Sequence, residues 1–158
     1  MSSTTPRPVS EILRAATLTV LLVGALSRSA FAQAAAQPSD SASRQVRAVV
    51  EHYLHSLKFN DVPSLRMAFW PEAMLYWVKQ DGSLGRLTQE DWYKSFTASA
   101  GKEEQGELRI DAMDVVGDIA SVKVVETYPK SVYIDYLSLL RMKGQWLIVN
   151  KVYTSRSR

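Results

Sequence analysis

The 158-residue chain contains no cysteine, so no disulfide can hold it together and no thiolate can serve as nucleophile or metal ligand. It also lacks an excess of either charge, with 19 Lys and Arg against 16 Asp and Glu. The first 32 residues hold Arg7, Arg14 and Arg28 against Glu11, so the rest of the chain is close to neutral. Its basic residues are dispersed apart from Arg156 and Arg158. Nucleic acid is therefore not an expected partner. Glycine is scarce, at seven, and falls in the leader, in turns or at helix ends. No phosphate-cradling loop or serine elbow can be built from it, and nucleotide chemistry is disfavoured. A membrane span needs roughly 20 consecutive apolar residues, which the chain does not offer.

What the N-terminus does contain is a leader pattern. Arg7 and Arg14 form a positive flank, the run from Ala15 to Leu26 is short and mostly apolar, and Ala30-Phe31-Ala32 is an A-x-A cleavage signal. Residues 1–32 are expected to be a signal peptide, which makes the product exported, periplasmic or secreted, without a membrane anchor after cleavage. Residues 33–44 are rich in Ala, Ser and Gln and include Pro38, the composition of a flexible tether. Residues 45–158 are expected to form one domain stabilised by packing alone.

Within that domain Val46, Val49, Val50, Tyr53, Leu54 and Leu57 recur at spacings of three and four, which predicts a helix with Arg47, Glu51, His55 and Lys58 on its wet side. Asn60-Asp61 ends it and caps a second helix, with Pro63 near its start and Pro71 at its stop. Met74 to Lys79 and Ser83 to Leu87 flank Asp81-Gly82 as a hairpin. Thr88, three residues before Asp91, opens a helix through Trp92, Tyr93 and Phe96. Strands over Glu107–Val116, Ile119–Tyr128, Val132–Met142 and Gln145–Tyr153 then form an antiparallel meander. The order of elements defines an α+β fold with helices on one side of a sheet.

Several strings in this order resemble one family in combination. They are Val49-Val50-Glu51-His52-Tyr53, Met67-Ala68-Phe69-Trp70-Pro71-Glu72-Ala73, Val115-Val116-Gly117-Asp118-Ile119-Ala120, Asp135-Tyr136-Leu137-Ser138-Leu139-Leu140, and Gly144-Gln145-Trp146-Leu147-Ile148-Val149-Asn150-Lys151. The chain resembles the nuclear transport factor 2-like (cystatin-like cone) superfamily, in its putative lumazine-binding subgroup, from about Arg44 to Tyr153. The resemblance implies a curved antiparallel sheet wrapped around N-terminal helices, cone-shaped, with an apolar pocket between them. Similar folds host ketosteroid isomerases, scytalone dehydratase and polyketide cyclases, and also binding proteins that catalyse nothing, so the fold alone does not select a function.

For such a pocket the aromatic candidates are Tyr53, Trp70, Tyr76, Trp92, Tyr128 and Trp146, rings suited to a small flat apolar molecule, although any one of them could be ordinary core. Glu126 shares strand parity with Ala120, Val122, Val124 and Tyr128. Burial on that face would raise its pKa toward that of a general base; the plainer expectation is that it turns to water or pairs with Lys123 or Lys130. Asp135 and Tyr136 are a second acid–base candidate, or a structural pair. His52 and His55 lie three apart on the first helix, but no third ligand accompanies them, so neither a metal nor a cofactor is expected. The strand Val132–Met142 is apolar on both parities, with Ile134, Tyr136, Leu140 and Met142 on one and Leu137 and Leu139 on the other, which predicts a homodimer through the sheet. The expected function is an exported small-molecule-binding domain. The alternatives are a cofactor-free isomerase, dehydratase or cyclase using Asp135 or Glu126, and a dimeric accessory protein with a vestigial pocket.

Overall fold

The structure, a computed structural model, describes residues 40–158; the proposed leader and residues 33–39 of the tether lie outside the described residues. Helix α1 (Asp40–Phe59) begins five residues before the expected boundary, so residues 40–44 belong to the helix and not to a tether. The reason is Ala42, which is buried and extends the apolar stripe of Val46, Val50, Tyr53 and Leu57 by one more turn. Asn60 ends α1 with a left-handed φ of 52°, which asparagine tolerates, and the Asp61 N–H returns to the Ser56 carbonyl at 3.0 Å. Asp61 then caps α2 (Val62–Ala68): its carboxylate accepts from the Ser64 N–H at 3.4 Å and the Ser64 hydroxyl at 2.6 Å.

Strand β1 (Phe69–Val78) follows at once. Phe69, Trp70 and Pro71 were expected to finish a helix, yet they open this strand. The strand tolerates Pro71 because its register against β6 breaks between Phe69 and Met74, where no ladder N–H is required. Beyond the turn at Asp81-Gly82, β2 (Leu84–Thr88) pairs back on β1. Gly85 is opposite Trp77, and a Cβ there would collide with the indole. Thr88 caps α3 (Gln89–Tyr93), accepting from the Asp91 N–H at 3.2 Å, and a 3-10 turn over Lys94–Ser99 brings Phe96 into the core.

The meander is as expected in order: β3 (Glu107–Val116), β4 (Ile119–Thr127), β5 (Ser131–Met142) and β6 (Gln145–Ser157), the last four residues longer than its predicted end at Tyr153. Lys143 and Gly144 are both left-handed (φ 51° and 83°), the geometry of a two-residue hairpin turn whose twist matches its strands. The six strands form one curved sheet in the order β2-β1-β6-β5-β4-β3, antiparallel except where β1 runs parallel to β6. The helices cover one face, where Val122, Val124, Leu137, Leu139 and Ile148 meet Val46, Val50, Leu65 and Phe69 in the core.

Candidate functional site

Three neighbouring strands each deliver one charged residue to the helix-covered face. Glu126 lies opposite Tyr133, Asp135 is flanked by Val124 and Tyr153, and Lys151 is opposite Leu137. All three are buried, at 4%, 0% and 5% exposure. A charge there is tolerable only if paired and hydrogen-bonded, and α1 supplies the bonding hub. Tyr53, fully buried, places its hydroxyl 2.5 Å from Asp135 Oδ2 and 3.0 Å from Glu126 Oε1, and accepts from Lys151 Nζ at 2.6 Å. Lys151 Nζ also lies 2.7 Å from Asp135 Oδ2 and 3.8 Å from Glu126 Oε1. From the turn after β4, Tyr128 donates to Glu126 Oε2 at 3.2 Å. Gly106 lets that ring lie close, since a Cβ there would come within 2.8 Å of it.

The electrostatics follow from burial. Desolvation raises the Glu126 carboxyl to about 8, against the opposing pull of the Lys151 ammonium and with the nearby Asp135 charge adding to the rise. Desolvation also pushes the Tyr53 and Tyr128 phenols up, helped by the adjacent carboxylates. For Lys151 burial acts downward, but Asp135 and Glu126 outweigh it, so the amine is held above its ordinary value and stays an ammonium. Three rings surround that cation, with Nζ 5.2 Å from the Tyr53 centroid and 5.1 Å from those of Trp92 and Tyr153.

This cluster forms the floor of a cavity of about 670 Å³. Glu126 and Lys151 line it directly; its walls include Leu57, Leu75, Trp92, Phe96, Tyr128, Tyr133 and Tyr153. At the rim Lys58 ties the 103–106 loop to α1, donating to the carbonyls of Glu104 at 2.8 Å and Gly106 at 3.1 Å, while Asn60 donates to Glu104 Oε1 at 2.9 Å. A closed polar end under an aromatic barrel is suited to orienting a flat ligand through one hydrogen-bonding edge.

The structure brings Tyr53, Trp92, Tyr128, Glu126 and Asp135 together at this cavity and leaves the other candidates elsewhere. Tyr76 alternates with the inward Leu75 and so lies on the outer face, in line with Val152 and Tyr136. Tyr136 is also outward and 54% exposed, so the tyrosine that bonds Asp135 is Tyr53 and not its sequence neighbour. Trp70 and Trp146 line a separate cavity of about 750 Å³ beside α1 and the β5–β6 turn, together with His52 and Met67. Glu126 neither turns to water nor pairs with Lys123 or Lys130; Lys123 instead reaches Asp111 at 2.7 Å, and the inward parity of Glu126 prevails because buried partners await it. His52 and His55 are not brought to a common metal site; His52 is exposed, and His55 lies 3.6 Å from Asp61.

Sequence reasoning missed Lys151, Tyr133, Tyr153 and Phe96. The case of Lys151 has a definite cause. Trp146 and Ile148 point inward, and strict alternation would send Asn150 and Val152 after them. The register shifts between Ser138 and Leu139, which face Asn150 and Ile148, so Val149 is an extra residue and the inward positions become Lys151 and Tyr153. No residue type at Val149 announces the bulge.

Helices packed in the concavity of a curved mixed sheet, with a cavity closed by buried polar groups, define a nuclear-transport-factor-like domain. Solved structures agree: an NTF-2 like protein of unknown function from Silicibacter pomeroyi is 26% identical, covering 76% of this chain and 100% of its own, with a TM-score of 0.66. NTF2-like proteins of unknown function from Shewanella baltica (21% identity, 76% and 98% covered, TM-score 0.68) and Methylobacillus flagellatus (22%, 76% and 96%, 0.66) share the fold. The family model described as "Putative lumazine-binding" matches residues 41–154, and the chain belongs to that family. No curated protein matches the chain.

Proposed function

We propose that this chain is an exported, non-catalytic binding protein whose cavity holds one small, flat, mostly apolar molecule without a metal or cofactor. The observation that carries the reading is the pairing of an aromatic-walled cavity of about 670 Å³ with a floor of Glu126 and Lys151. Such a volume suits a drug-sized ring compound, and a few convergent polar groups at one end fix its orientation. The family's description points the same way. Export rests on the leader pattern of residues 1–32, with the periplasm as the expected compartment.

The protein acts as a homodimer through the outer face of the sheet, where Val116, Ile119, Tyr136, Leu140 and Val152 are all exposed, an apolar surface that a monomer would leave wet. Native mass spectrometry of the chain, expressed with its leader and purified gently from the fraction in which it accumulates, tests the three parts at once. The expected spectrum is a dimer of chains beginning at Gln33 that carries a defined small-molecule adduct. A monomer without adduct overturns both the binding and the assembly readings, and a chain that keeps residues 1–32 overturns export.

A second reading is supported by one specific observation. Glu126, raised to about 8 and in contact with two phenols, has the environment of a general base. A cofactor-free isomerase, dehydratase or cyclase would use it to take a proton from carbon beside a ring carbonyl. Solvent-deuterium incorporation into 2-tetralone at a rate above buffer, abolished by Glu126→Gln, would favour this reading over binding alone.

A further inference from the structure

The proton count around Tyr53 bears on the charge of the floor. An ammonium can only donate, so the 2.6 Å contact from Lys151 uses a lone pair of the phenol. The phenol has one proton, and its shorter carboxylate contact, 2.5 Å to Asp135, takes it. The remaining contact, 3.0 Å to Glu126 Oε1, is left without a phenolic proton. It is a hydrogen bond only if Glu126 is a protonated carboxyl that donates to the phenol, with its other oxygen accepting from Tyr128. The cluster then holds one cation, Lys151, and one anion, Asp135, and its net charge is zero. The rim acids are also engaged: Glu103 with Lys58 at 3.2 Å and Glu104 with Asn60 at 2.9 Å.

The same count leaves one donor over. Lys151 has three N–H groups; Asp135 Oδ2 at 2.7 Å and Tyr53 at 2.6 Å use two, and Glu126 Oε1, at 3.8 Å, lies beyond hydrogen-bond reach. Among the described residues no other acceptor is bonded to Nζ, and Lys151, although 5% exposed, lines the cavity. A buried ammonium with an unused N–H calls for an acceptor oxygen from whatever fills the space above it. A charged ligand would bring a net charge to a floor that is already balanced, at the cost of its own desolvation. Trp92, Phe96, Tyr133 and Tyr153 ask for a ring.

We infer that Lys151 determines the specificity of this cavity, and that its ligand is a neutral flat ring whose carbonyl oxygen accepts the third ammonium N–H. The inference rests on the binding reading above and sharpens it to a ligand class.

Three bicyclic probes of similar size separate the possibilities: coumarin, neutral with a ring carbonyl; naphthalene, neutral without one; and 2-naphthoate, an anion. Their affinities for the full chain are measured by ligand-observed NMR titration at pH 7. Coumarin is expected to bind about tenfold or more tightly than either of the others, the worth of one hydrogen bond to a charged donor. In Lys151→Met combined with Asp135→Asn, which removes both charges together, coumarin loses its advantage over naphthalene. If that variant does not fold, the ordering in the unaltered chain decides alone. Naphthalene equal to coumarin, or 2-naphthoate tighter than both, overturns the ligand class and leaves the binding reading standing; no binding by any probe overturns both.

Discussion

Two cavities of the described domain differ in what forms their floors. The cavity beside α1 and the β5–β6 turn is slightly the larger, about 750 Å³ against 670 Å³, and has two tryptophans among its lining residues. Among its other lining residues Gln45, His52, Arg66 and Met67 are exposed, and Arg66 pairs with Glu90 at 2.6 Å on the surface. The cavity between the helices and β4–β6 ends instead on Glu126 and Lys151, tied through Tyr53 to Asp135. Volume does not tell these apart. What does is the presence of charged side chains taken out of water, Glu126, Asp135 and Lys151, which a stable fold retains only where they are paired, so that changing one partner is felt by all.

That contrast can be broken most forcefully at Lys151. Lys151→Met leaves the Asp135 carboxylate buried without its cation, and chemical denaturation is expected to show a loss of about 3–5 kcal/mol. A loss under about 1 kcal/mol, the worth of an exposed ion pair, would mean that the cluster is wetter than its burial indicates.

The next effect is in pH. Glu126 has an ordinary pKa of 4.5 and sits at about 8 in the fold, so between those values the folded state holds a proton that the unfolded state has released. Stability therefore falls as pH rises through this window, by as much as about 1.4 kcal/mol per unit, and levels off above it. Thermal melts from pH 5 to 9 should show the decline, and Glu126→Gln should flatten it. A melting temperature that rises toward pH 8 with Glu126 present would contradict the buried neutral carboxyl.

Tyr53→Phe keeps the ring against Phe69, with which it makes an edge contact at 5.5 Å, and removes only the shared hydroxyl. The expected cost is about 1–3 kcal/mol, read from the same denaturation curves. The smallest effect belongs to the other cavity: Met67→Ala, at a side chain 53% exposed, should change stability by no more than about 0.5 kcal/mol. If it matched Tyr53→Phe, the distinction between the cavities would fail.

The sequence made most of the fold legible because its signals were local. The α1 stripe, the Asp61 and Thr88 caps and the turns at Gly117-Asp118 and Lys143-Gly144 each depend on a few adjacent residues, and each appears where expected. The site was legible in part. Tyr53, Glu126 and Asp135 were nominated from periodicity or resemblance, but nothing in their spacing says that one phenol on a helix reaches carboxylates 73 and 82 residues away. Trp70, Tyr76, Tyr136 and Trp146 show the converse: a residue type suited to a pocket carries no information about which face or which end of the sheet it occupies. Phe69-Trp70-Pro71 read as a helix end because proline usually stops one, whereas the interrupted ladder between β1 and β6 accepts it.

The extra residue at Val149 also couples the register of β6 to the chemistry of the cavity. Upstream of it the strand contributes the greasy wall of the core; downstream it contributes a cation and a phenol. Pairing the strand in regular alternation with Val149 kept in the ladder, instead of bulged out of it, would not weaken the site gradually. It would rotate Lys151 to the outer surface and bring Val152 inward in its place, so that two buried acids would face a hydrocarbon. The spacing of the backbone, as much as the identity of any side chain, is thus what the site encodes.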